Sequence, residues 1–220
     1  MIYFFADDHY GVHPGRNIFE HLPEELKKNI TFVENDWTLL ESGVWLNDCE
    51  LLILNMIGAT CKLPHPDGNA EKAVRKWCEK GGNILLLHGS SAAFWQWEWW
   101  RNIVGFRWVR PNDPDKIQPS VHPVKPYFVR IAKSRHPLCA KLQPFALESD
   151  EIYTELEQVS PAMVLMETFI EEGVFPQCAE TVTSWNGRIM SFIPGHKPEA
   201  TSDKNLIANI DMIINYLMEK

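Results

Sequence analysis

His88 ends an apolar run, Ile84-Leu85-Leu86-Leu87, and is followed at once by Gly89, Ser90, Ser91, Ala92 and Ala93. This is the form of a buried strand that turns sharply into a helix. The residue at the tip of such a turn is pushed toward positive φ, and small neighbours let the helix clear the strand. In α/β proteins the corner often presents a nucleophile. An imidazole there is a poor substitute for one, but it can move protons or bind a metal. Ser90 and Ser91 do not fill the gap, because His88-Gly89-Ser90-Ser91-Ala92 breaks the Gly-x-Ser-x-Gly pattern. Helix capping suits both serines, and Ser90 also stands as a candidate substrate contact.

Other chemistry-bearing residues lie far along the chain. Gly195-His196 sits after an apolar strand with Glu199 three residues on, and a rigid turn presenting an imidazole is what a general base or a ligand needs. In Asp150-Glu151-Ile152-Tyr153, an extended backbone would put Glu151 and Tyr153 on one face and Asp150 on the other. His9 and His13 are four apart, which on a helix would let them share a metal, but Gly11 and Pro14 argue for a loop. His122 lies in a proline-rich loop that could close over a cleft, His136 before Pro137 reads as structural, and His21 and His65 read as surface positions. Imidazole with carboxylate suits zinc or a similar divalent ion, and His13, His88 and His196 are the expected ligands.

The elements that must position these groups follow from periodicity. Strands are expected at Ile2 to Ala6, Ile30 to Val33, Glu50 to Leu54 and Ile84 to Leu87; helices are expected at Arg16 to Lys28 and Asn69 to Lys80. This alternation argues for a parallel sheet covered on both faces. The second half differs. Pro111 to Pro126 reads as a long loop, and Tyr127 to Ile131 and Ala162 to Glu167 as strands. Thr181 to Trp185 and Arg188 to Ile193 read as a hairpin around Asn186-Gly187, and Leu206 to Met218 as a closing helix. With no repeats and no low-complexity linker, one domain over 1–220 is expected.

Composition narrows the function classes. Net charge is -8, from 21 Lys+Arg against 29 Asp+Glu, and no basic cluster offsets it, so nucleic acid is not an expected partner. No segment approaches a transmembrane length, and the first residues lack a basic region, so membrane and signal-peptide readings fall away. Five cysteines, an odd number without CxxC spacing, fit a reduced cytoplasmic protein. Four of nine tryptophans cluster at Trp95-Gln96-Trp97-Glu98-Trp99-Trp100, where they serve either a core or a sugar site.

From about residue 48 onward the chain resembles the ThuA-like (trehalose utilisation) family. The resemblance rests on five pieces in order. They are Gly81-Gly82 to His88, His122-Pro123 to Val129, His136-Pro137-Leu138, Asp150-Glu151-Ile152-Tyr153, and Trp185-Asn186-Gly187-Arg188 running to Pro194-Gly195-His196. It implies an α/β, flavodoxin-like parallel sheet of the class I glutamine amidotransferase type, here with an antiparallel extension. True class I amidotransferases carry a cysteine at the corner and a His and Glu after the last strand. Gly195-His196-Lys197-Pro198-Glu199 is similar to the latter, but the corner has no cysteine: Cys78 falls in the preceding helix and Cys61 in a loop. Glutamine hydrolysis through a thioester is therefore not expected.

The resemblance implies an enzyme on a sugar or keto-sugar derivative. His88 and His196 would move protons or hold a metal, and Glu151 would assist. Trp95 and Trp97 would pack on the sugar ring, with Ser90, Tyr153 and His122 as further contacts. The competing expectation is a non-catalytic ligand-binding or assembly module on an amidotransferase-like scaffold, with homo-oligomerisation left open.

Overall fold

The computed structural model describes residues 1–58, 60 and 63–219. In chain order the elements are β1 (Ile2–Ala6), α1 (Pro14–His21), α2 (Glu24–Lys27), β2 (Ile30–Glu34), α3 (Thr38–Ser42), β3 (Leu51–Asn55), α4 (Gly68–Glu79), β4 (Asn83–Leu87), α5 (Glu98–Arg101), β5 (Phe106–Arg107), β6 (Val124–Ile131), β7 (Phe145–Glu151), β8 (Glu157–Gln158), β9 (Ala162–Ile170), β10 (Gly173–Thr181), β11 (Ile189–Phe192), α6 (Pro198–Thr201) and α7 (Lys204–Met218). Among the described residues, no helix is long and apolar enough to cross a membrane.

Nine strands form one sheet in the order β2-β1-β3-β4-β11-β10-β9-β6-β7. β2, β1, β3, β4 and β11 run parallel, and from β11 onward every pairing is antiparallel. β1 and β3 are buried at every position because both faces of the sheet are covered. Ile2, Phe4 and Ala6 of β1 join Ile18 of α1 and Ile210 and Ile214 of α7 in one core. Tyr3 and Phe5 point the other way, into a core with Leu40, Trp45, Val74 and Trp77. This is the α/β, flavodoxin-like sheet with an antiparallel extension that the sequence implied.

Three expectations are corrected. The helix expected from Arg16 to Lys28 is two helices, because Pro23 forces Leu22 out of the helical region to ψ 154°. The helix expected after His88 is a 3-10 turn over His88–Ala92, and α5 begins ten residues after the corner, at Glu98. The Asn186-Gly187 hairpin is real but its strands start further out, with Thr181 opposite Ile189. Gly187 is needed there for close approach, since a Cβ would lie 2.2 Å from the Gly82 carbonyl oxygen.

The antiparallel part curls back over the parallel part. Phe145 of β7 stacks on Phe192 of β11 with ring centroids 6.3 Å apart, although β10, β9 and β6 lie between them in sheet order. The end of β7 thereby comes close to the turn after β11.

At Gly82, between α4 and β4, a Cβ would lie 2.1 Å from the Trp77 ring. Gly82→Ala must displace that indole, which also donates to the Asn83 carbonyl at 3.1 Å. A loss of about 1–3 kcal/mol in urea unfolding is expected; an unchanged midpoint would show that the ring moves freely.

Candidate active site

Open α/β sheets place ligands beyond the carboxyl ends of their strands. Here His9 follows β1, His88 follows β4 and His196 follows β11. His88 is at the corner tip with φ +48°, the strained conformation that its position implied. It is buried, and its Nδ1 lies 2.9 Å from the Ile193 carbonyl oxygen. A carbonyl only accepts, so Nδ1 carries the proton and neutral His88 has its lone pair on Nε2. The Tyr153 hydroxyl donates to that nitrogen at 2.9 Å. Burial, reinforced by the charges of Glu151 and Asp150, pushes the Tyr153 phenol well above its usual range, so it stays a donor. Gly89 lets His9 lie against the corner, since a Cβ there would sit 2.8 Å from His9 Cε1.

Glu151 is the shared carboxylate. Its Oε2 lies 3.4 Å from His88 Nε2, and its Oε1 lies 3.1 Å from His122 Nδ1 and 3.6 Å from His196 Nε2. Burial pushes its carboxyl up, but the neighbouring imidazoles of His88, His196 and His122 outweigh this and hold it below the usual range. Glu151 is thus ionised at neutral pH and able to accept a proton. Burial lowers the His196 imidazole, with His88 adding to the effect and Glu151 and Asp150 opposing it.

Asp150 points the other way, as the period-two reading required, and organises the turn after β11. Its Oδ2 accepts from the Gly195 amide at 2.8 Å, and its Oδ1 from the His196 and Lys197 amides at 3.0 Å each. Glu199, the acid expected beside His196, is exposed on α6; the carboxylate beside the ring is Glu151.

Among the described residues, His9, His88 and His196 each bring one ring nitrogen within 4.8 Å of the others, a cluster that could hold a metal. His13, the expected third ligand, is not in it: its Nδ1 lies 3.0 Å from Glu34 Oε2, beside Arg16. Buried Asp7 fixes the start of this segment, accepting from the His9, Ile57 and Gly58 amides. His9, Tyr10, Gly11 and His13 all have positive φ, and this turn sends His9 inward and His13 outward. The sequence places both His9 and His13 just beyond the carboxyl end of the first strand, but the spacing alone does not say which of them turns inward.

His9, His122, Glu151, Tyr153 and His196 line a cavity of about 570 Å³ with Tyr10, Trp95, Trp108 and Arg110, and His88 is buried beside it. Two expected contacts are elsewhere. Ser90 is fully buried and ties the corner to β3, donating to the Leu54 carbonyl at 2.7 Å and accepting from the Met56 amide at 2.9 Å. Trp97 is in the core, stacked on Phe94 at 4.0 Å. His65 is also not at the surface: it packs among Phe94, Trp95 and Trp97, and burial lowers its ring to about 4. Trp108 and Arg110 were missed because they flank a proline-rich stretch without periodicity. Arg110 sits over the Trp95 ring, 5.1 Å from its centroid, with its Nε buried and unpaired.

Arg107 anchors the loop that carries Trp108, Arg110 and His122. Its buried guanidinium reaches Glu157 at 2.6 Å, Asp115 at 2.8 Å and Asp113 at 3.2 Å. Arg107→Lys keeps the charge but loses the fork that serves three carboxylates. It is expected to cost about 1–3 kcal/mol and to speed proteolytic cleavage within 108–123; an unchanged cleavage rate would show that the loop is held by other contacts.

The family model described as trehalose utilisation, ThuA, matches residues 3–216. The chain belongs to the ThuA family. The match reaches back to β1, well before the residue near 48 where the resemblance was legible. ThuA-like crystal structures share the fold. One, from Parabacteroides merdae, has a TM-score of 0.79 at 13% identity, over 99% of this chain and 88% of that one. Another, from Bacteroides uniformis, has a TM-score of 0.68 at 14% identity, over 98% and 89%. The β-galactosidase of Bacillus circulans has a TM-score of 0.58 at 11% identity over 97% of this chain, a match spanning 31% of the β-galactosidase. A search of curated proteins gives no match. In this ThuA chain, none of the described cysteines lines the cavity. Cys78 is buried on α4, and burial pushes its thiol up to about 12.

Proposed function

We propose that this ThuA-family protein is an enzyme acting on a sugar or keto-sugar derivative, with Glu151 accepting a proton and His88 and His196 exchanging it. The observation that carries the reading is the Glu151 carboxylate, within 3.6 Å of nitrogens of His122 and His196, which line the same cavity, and of His88, buried beside it. Trp95 and Trp108 offer faces for the C–H side of a sugar ring, while the imidazoles and carboxylate offer partners for its hydroxyls. A keto group makes a neighbouring C–H acidic enough for an ionised carboxylate to take its proton, with a nearby imidazole passing that proton on. The family's link to trehalose utilisation supports the substrate class. The binding-module alternative was motivated by the missing nucleophile. It is disfavoured by a cavity that joins His196, Glu151 and Tyr153 beside His88. The working partner is then a small molecule, the protein one domain over 1–220, and the compartment the reducing cytoplasm, which fits its free thiols.

The test is to incubate the protein with a panel of disaccharides and keto-sugars, follow product by NMR, and repeat with His88→Ala and His196→Ala. Turnover that drops in both variants supports the reading. Turnover that survives both substitutions sinks it.

A further inference from the structure

We infer that His9, His88 and His196 form a three-histidine site for a divalent transition-metal ion, zinc foremost, open to the cavity on the side of Glu151 and Tyr153. The inference rests on the proposed function's choice of working pocket and gives His88 and His196 the role of metal ligands in place of proton exchange. The three rings form a nearly equilateral triangle, with centroids 5.0, 5.0 and 5.1 Å apart. One nitrogen of each lies within 4.8 Å of the others. Bonds of about 2.0–2.1 Å to a tetrahedral zinc would set such nitrogens about 3.4 Å apart, so side-chain shifts of about 1 Å close the site.

Three further observations point to a ligand and not to packing alone. His9 Nδ1 and His196 Nδ1 are both buried without a hydrogen-bond partner. Buried polar atoms in folded proteins are nearly always paired, and a cation would supply what these two lack. His88 is already in a ligand's tautomer: its Nδ1 is held by the Ile193 carbonyl, which leaves the lone pair on Nε2, where a metal ion would take the place of the Tyr153 hydroxyl. Metal-bound histidines are fixed in this way by a backbone carbonyl or carboxylate on the other nitrogen. Finally, carboxylates ring the triangle, with Glu151 3.4 Å from His88 Nε2 and 3.6 Å from His196 Nε2, and Asp7 4.0 Å from His9 Nδ1.

The donor chemistry sets the class of ion. Three imidazoles favour zinc, cobalt, nickel or copper over magnesium and calcium, which prefer oxygen cages. Three protein ligands with a fourth position open to a cavity is the pattern of catalytic zinc sites. The three ligands come from the ends of β1, β4 and β11, so only the folded chain assembles them.

The full-length protein is stripped with a chelator and titrated with Zn²⁺ and with Co²⁺, reading stoichiometry by elemental analysis and calorimetry and Co²⁺ coordination by visible absorption. One equivalent per chain and a low-coordinate Co²⁺ spectrum are expected. His9→Ala, His88→Ala and His196→Ala should each weaken binding by more than the roughly 10–100-fold typical of outer-shell partners. His13→Ala should bind as the parent does. Circular dichroism checks folding, and if an alanine variant does not fold, His9→Gln and His196→Gln carry the test. No stoichiometric uptake by the parent, or uptake that survives all three substitutions, overturns the site. Stoichiometric metal without sugar turnover keeps this inference and removes the proposed function. Turnover by a stripped protein that takes up no metal does the reverse.

Discussion

Asp150→Ala is expected to destabilise the protein by about 3–6 kcal/mol, with a stranded donor put at about 1–3 kcal/mol when buried, as at Gly195, and nearer the lower end at half-buried His196 and Lys197. The carboxylate is fully buried and accepts three consecutive amides, those of Gly195, His196 and Lys197. The Tyr127 hydroxyl adds a longer contact at 3.4 Å. No other acceptor is bonded to these amides among the described residues, so truncation leaves all three without a partner. The turn they form has Gly195 at φ +112° and presents His196 to Glu151. The variant should therefore also lose whatever His196 does, including metal uptake. Asp150→Asn keeps one oxygen but aims an amide N–H₂ at a backbone donor, so an intermediate loss is expected. Urea unfolding measures both. A change below about 1 kcal/mol in Asp150→Ala would mean the turn holds itself and Asp150 is incidental.

Turnover is expected to fall about 10²–10⁴-fold in Glu151→Gln, the range general-base catalysis contributes, with little change in fold. Glutamine has nearly the same shape but cannot take a proton, and its amide would face imidazole nitrogens that now meet a carboxylate. Among the described residues, Glu151 is the carboxylate within 4.0 Å of His88, His122 and His196 alike, so its loss leaves all three imidazoles without it. The loss should appear in kcat more than in KM, since proton acceptance is needed only in the reaction. Steady-state kinetics on a substrate from the sugar panel reads this, and a kcat equal to the parent's would remove Glu151 from the chemistry.

The parallel half of the fold was plain in the residues. Short apolar runs such as Leu51 to Leu54 and Ile84 to Leu87 can only be strands covered on both faces. Trp77 and Val74 sit on one side of a helix that stops at Gly81, where φ is +81°. The antiparallel half was harder to see. Phe145–Glu151 buries Phe145 and Leu147 on one face but carries Glu148, Asp150 and Glu151, which mask the alternation. Gly173–Thr181 contains Pro176 beside a register shift, so its period breaks in the middle. The site followed the same division. His88, Glu151, Tyr153 and His196 stood out by local chemistry, whereas Trp97 and Ser90 were misplaced because aromatic area and a hydroxyl serve a core as readily as a pocket.

By itself, the sequence determined the local conformations. It set a strained corner at His88, opposite faces for Asp150 and Glu151, and the absence of a cysteine where an amidotransferase would carry one. Each of these depends on residues within a few positions of one another. Only the tertiary structure decided that His9 and not His13 joins the imidazoles, and that one carboxylate from β7 serves both His88 and His196. Those choices depend on a run of positive-φ residues after β1 and on a sheet that curls until its last strand meets the turn after β11. Such contacts come from packing between segments distant in the chain, which spacing along the sequence does not encode.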